Sequence, residues 1–73
     1  MIKDFGVEKV KIEGPHADEI LHYLVHAITY DQRKELFREA RRDGNAHLTY
    51  RTGGEYKHAT LKRNSDGTYE IED

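Results

Sequence analysis

The 73-residue chain has no cysteine, which excludes a disulfide framework, a thiolate zinc site and a thiol nucleophile. Its one serine, Ser65, sits in a turn-forming stretch, so no serine triad is expected. No apolar run approaches the roughly 20 residues of a membrane span. The N-terminus lacks the apolar core of a signal peptide, so the expected location is the cytoplasm and no membrane partner is expected. No glycine-rich phosphate loop or dinucleotide fingerprint occurs, because Gly53-Gly54 joins two strand-like segments and opens no helix. Thermolabile side chains are also scarce: Met1, Gln32, Asn45 and Asn64 are all there are, in a chain that is 36% charged. Rich in charge and poor in amides, the chain has the composition of thermophile proteins.

Fifteen side chains are large aliphatics or Phe, and the formal net charge is −2. That is enough for a single compact domain over residues 1–73 and too little charge to hold the chain unfolded. A core of this size gives marginal stability, which favours self-association or a partner.

Residues 1–13 read as one strand, with Val10 and Ile12 alternating against Lys9, Lys11 and Glu13. Phe5 and Val7 are in the opposite phase, so a bulge or frayed start is expected near Gly6. After Gly14-Pro15, the residues Ala17, Ile20, Leu21, Leu24, Val25 and Ile28 recur at helical spacing. Thr29-Tyr30-Asp31-Gln32 matches a capping box and starts a second helix, which runs to about Asp43 with Gly44 in the left-handed position.

The last third reads as a three-stranded meander. A two-residue turn at Gly53-Gly54 sets Leu48 opposite Ala59 and Ala46 opposite Leu61. His47, Thr49, Arg51, Tyr56, His58, Thr60 and Lys62 then share the other face. A Ser65-Asp66-Gly67 loop pairs Leu61 with Ile71 and Lys62 with Glu70. The expected fold is α+β: a two-layer sandwich in the order β-α-α-β-β-β, with both helices on one face of a mostly antiparallel four-stranded sheet.

Charge is sorted along the chain: residues 30–64 carry a net +4 and the remainder −6. This predicts a bipolar molecule. Lys34, Arg38, Arg41 and Arg42 fall within about a 100° arc of the second helix. Two i,i+4 like-charge pairs in that arc each cost roughly 0.2–0.5 kcal/mol. Such a stripe suits nucleic acid or the acidic part of another subunit; it also suits a solvated helix C-terminus complementing the macrodipole. A sequence pI near 6.2 is low for a dedicated nucleic-acid binder.

Arg51 should lie opposite Tyr56, where guanidinium and ring can stack. His47 and His58 are diagonal neighbours, suited to proton exchange or to an ordinary polar sheet face. Glu19, His22 and His26 have the spacing of metal ligands on a helix, but Tyr23 stands where the catalytic Glu of a zinc protease would be. No metal or other cofactor is expected.

The element order resembles that of RelE/ParE-type toxins, which run strand, two helices and a three-stranded meander. The resemblance implies basic and titratable groups on the open sheet face, here Arg51, Lys57 and His58. The leading expectation is a small non-enzymatic protein that binds a macromolecule, another protein or a second copy of itself. The alternative is an RNA- or DNA-binding module, extending to a RelE/ParE-like ribonuclease, using Lys34, Arg38, Arg41, Arg42, Arg51, Tyr56, His58 and Lys62.

Overall fold

Residues 1–72 are described by a computed structural model, in which two helices pack on one face of a five-stranded mixed sheet. The strands are β1 (Ile2–Asp4), β2 (Lys9–Glu13), β3 (Asn45–Thr52), β4 (Glu55–Arg63) and β5 (Tyr69–Glu72). Helix α1 (Ala17–His22) continues into a π-helical turn, Tyr23–Ala27, and α2 spans Tyr30–Asp43. The sheet order is β1-β2-β5-β4-β3, with β2 and β5 parallel and the other neighbours antiparallel.

Local chemistry accounts for most of these elements. Gly53 and Gly54 have φ of 56° and 81°, the positive pair that a tight primed turn requires. The turn closes on Thr52 opposite Glu55 and sets Leu48 against Ala59 and Ala46 against Leu61, as the apolar pattern predicts. At the next turn the Asp66 carboxylate accepts from the Thr68 N–H (2.9 Å) and hydroxyl. Leu61 then pairs with Ile71 and Lys62 with Glu70. At the start of α2, the Gln32 N–H donates to Thr29 Oγ1 (3.1 Å) and the Thr29 N–H to Gln32 Oε1 (2.8 Å). Gly44, at φ 87°, ends the helix.

The first 13 residues differ from expectation: they form a hairpin rather than one strand, which makes five strands instead of four. Asp4 Oδ1 accepts from the Gly6 N–H (2.7 Å), and the Phe5 N–H donates to the Glu8 carbonyl (2.8 Å). The opposed phase of Phe5 and Val7 marks this reversal. Val7 projects from the tip, 92% exposed. Phe5 folds under to meet the Phe37 ring at 5.9 Å. The first helix also departs from its apolar stripe, because Ile28 is extended and leads directly into the Thr29 cap. Arg33 donates to the Leu24 carbonyl at 3.3 Å, one of those a helix end leaves without an internal partner.

The core lies between the helices and the sheet. Ile20, Leu24, Phe37 and Ala40 meet Val10, Ile12, Leu61 and Ile71, all of them buried. Two tyrosines join them: Tyr50 is 1% exposed and Tyr69 3%. The Tyr69 ring packs edge-on against Phe37 at 4.9 Å, and its hydroxyl accepts from Arg41 at 3.4 Å. No charged side chain is buried among the described residues.

Thr29→Ala removes half of the capping box and should cost about 1 kcal/mol in chemical denaturation; an unchanged midpoint would show that the cap is energetically idle. The Asp66 carboxyl is held below the usual carboxylate range, first by the Thr68 hydroxyl and then by the Thr68 N–H. Its stabilising effect is complete above the unfolded value of about 3.9 and is lost as pH falls through the lower folded value. The stability gap between wild type and Asp66→Ala should therefore be constant near neutrality and close in acid. A gap that persists in strong acid would contradict that origin.

Candidate functional site

The charges that are sorted along the chain are interleaved in space. β5 inserts between β2 and β4, so Glu70 lies between Lys11 and Lys62. Alternation from the buried positions places Lys9, Lys11, Arg51 and Lys62 on the open sheet face with Asp4, Glu13, Glu70 and Glu72. On this face the segregation expected from chain order is not kept: the acidic C-terminal strand is flanked by bases.

The α2 cations share a face as predicted, and each has a neighbour. Arg38 pairs with Glu35 at 3.0 Å. The Arg42 guanidinium donates through Nε and Nη2 to both Asp43 oxygens, at 3.2 and 3.0 Å. That fork holds the Asp43 carboxyl below its ordinary range. Arg41 reaches the Tyr69 hydroxyl and, at 3.6 Å, Glu8 from the β1–β2 turn. Lys34 lies over the Tyr30 ring, 5.3 Å from its centre. Phosphate binding here would compete with these carboxylates for Arg38, Arg41 and Arg42.

On the sheet face, the Arg51 guanidinium lies 5.9 Å from the centre of the Tyr56 ring, its cross-strand partner. His58 Nδ1 is 3.1 Å from Thr49 Oγ1, and His47 Nδ1 is 3.4 Å from Thr60 Oγ1. Each imidazole is thus tied to a threonine across the strand pair. Lys62 lies beyond them, opposite Glu70. Lys57 is on the other face: it pairs with buried Tyr50, so it does not join Arg51 and His58. The His22 and His26 rings lie 5.1 Å apart. No group of three or more His, Asp or Glu side chains suited to a metal gathers among the described residues.

Two features escaped the sequence reading. One is a cleft of about 620 Å³ between the first helix and the β3–β4 hairpin, lined by Glu19, His22 and Tyr23 and by Thr49, Arg51 and Tyr56. The π-helical turn forms part of its wall through Tyr23 and Ala27. The other is the edge of β3. Among the described residues, strand β3 has one neighbour, and it runs for eight residues with one charged side chain, Arg51, and no proline. All eight residues pair with β4 in unbroken register. In a two-residue hairpin the closing pair exchanges both main-chain bonds, and bonded pairs then alternate. Thr52, Tyr50, Leu48 and Ala46 therefore turn their N–H and C=O toward β4. Asn45, His47, Thr49 and Arg51 turn theirs outward. The Arg63 N–H bond to the Gly44 carbonyl (3.0 Å) continues the same alternation.

No family model, curated protein or solved structure matches this chain. The likeness to RelE/ParE-type toxins stays at the order of elements, with β1 added at the start and Lys57 on the opposite face. No helix among the described residues is long and apolar enough to cross a membrane.

Because Arg38, Arg41 and Arg42 are paired with carboxylates and the sheet face is charge-balanced, fluorescence anisotropy with short RNA and DNA should stay flat from low to physiological salt. Micromolar binding with a steep salt slope would place phosphate contacts on this surface.

Proposed function

We propose that this chain is a small non-enzymatic cytoplasmic protein that acts by binding another protein, which it accepts as an added strand along the outer edge of β3. The observation that carries this reading is the unpaired row of main-chain donors and acceptors on Asn45, His47, Thr49 and Arg51. Long, flat strand edges are pairing templates, which proteins normally blunt with prolines, bulges, charges or short length. The sheet's other edge, β1, has only three residues. β3 carries one of these defences, Arg51, near its end. The cleft beside it supplies a wall, Glu19 and Tyr23, against which the side chains of an added strand can rest. In such recognition, main-chain hydrogen bonds give affinity and the adjacent pockets give selectivity.

Proline at position 49 tests the reading. The Thr49 N–H points outward, so Thr49→Pro removes an edge donor without breaking a β3–β4 bond, and edge strands tolerate proline in this orientation. A protein that binds the wild type should lose affinity for Thr49→Pro on the order of tenfold or more. It should be retained by Thr49→Val and by the double variant Arg38→Glu/Arg42→Glu. The reverse pattern would move the partner surface from the β3 edge to α2.

A further inference from the structure

We infer that the strand completing this edge is β3 of a second copy, antiparallel about a two-fold axis through Leu48; the inference rests on the proposed use of the β3 edge. Only Asn45, His47, Thr49 and Arg51 offer outward main-chain groups, so a paired strand must bond to these positions. The set is symmetric about residue 48. Centring the axis there sets Asn45 opposite Arg51 of the second copy and His47 opposite its Thr49, with the reciprocal pairs completing the ladder. Shifting the axis to residue 47 or 49 leaves one outward residue of each strand unpaired.

Side chains agree with this register. On the open face Arg51, the one charged residue of the strand, meets neutral Asn45, so no like charges are opposed. On the helix side, the register sets Ala46 opposite Tyr50 of the second copy, small against large, and Leu48 opposite its own equivalent across the axis. All three are already buried within the single chain, so the added contacts come from the main chain and the open-face side chains. Directly opposed side chains in such a pair have Cβ atoms about 4.5–5.5 Å apart.

A second copy is favoured over an unrelated strand for two reasons. The edge presents no acidic residue and only one basic residue for a foreign chain to complement. Two-fold pairing is also self-limiting: it consumes the one long edge of each molecule, leaving the three-residue β1 at either end of a ten-stranded sheet. A chain with so few core side chains gains stability from that closure.

Sedimentation equilibrium across a wide concentration range tests the pairing. Wild type and Thr49→Val should reach twice the 8.5 kDa chain mass, and Thr49→Pro should remain monomeric under the same conditions. The register is read by disulfide trapping, since the chain has no cysteine of its own. When His47→Cys and Thr49→Cys chains are mixed and mildly oxidised, the mixed disulfide should dominate over both homodisulfides. Bonded antiparallel pairs bring Cα atoms to about 5.5 Å, within disulfide range. A wild type that stays monomeric, a dimer unaffected by Thr49→Pro, or a predominance of homodisulfides would each overturn the inference. If Thr49→Pro does not fold, the trapping pattern alone decides. A monomeric wild type whose protein partner is still lost by Thr49→Pro would refute self-pairing and leave the edge reading intact. Partner capture insensitive to proline would refute the edge reading.

Discussion

The two-glycine turn at Gly53-Gly54 is the constraint on which the rest of this structure depends. Both residues hold positive φ, which a side chain would resist. The turn thereby closes β3 onto β4 with Thr52 opposite Glu55. A slip of one residue would turn Ala46, Leu48 and Tyr50 away from the helices and bring His47, Thr49 and Arg51 under them. The same closure decides which main-chain groups bond inward and which face out. Core, polar face and open edge follow from one register.

That register also explains why the charge pattern misleads when followed along the chain. Sorting by sequence gives a basic middle and an acidic end, which points to an anionic partner. Folding returns the acidic β5 to the centre of the sheet, parallel to β2 and antiparallel to β4. Glu70 is then flanked by Lys11 and Lys62, while Glu8 reaches Arg41 of α2 from the β1–β2 turn. Charges of opposite sign thus become neighbours in the fold, and the feature of the surface that stands out is main-chain polarity along β3.

What was legible in the sequence was local. The capping box at Thr29 and Gln32, the left-handed Gly44 and both β-turns of the meander are each specified within a few residues, and the structure has them all. The first hairpin was partly legible: the phase reversal at Phe5 and Val7 was visible, and the Asp4–Gly6 turn bond that converts it into a chain reversal was not. Tyr69 enters the core with its hydroxyl reached by Arg41; hydropathy alone does not register that. At the candidate site, the Arg51–Tyr56 pair followed from the turn, whereas the open edge depends on strand order. Pairing β2 with β5 and leaving β3 outermost is a long-range choice that no short segment encodes.

In the proposed edge pairing, the outward amides of β3 are a vacant bonding row that another strand fills. Residue-resolved amide hydrogen exchange along β3, in dilute and concentrated protein, reads that row directly. Alternation is expected in dilute solution: Ala46, Leu48 and Tyr50 exchange slowly, and His47, Thr49 and Arg51 quickly. On concentration, the fast set should become protected while the slow set changes little. Fast exchange of His47, Thr49 and Arg51 at every concentration would contradict self-pairing along this edge. Uniform protection of all β3 amides in the dilute monomer would contradict the vacancy itself.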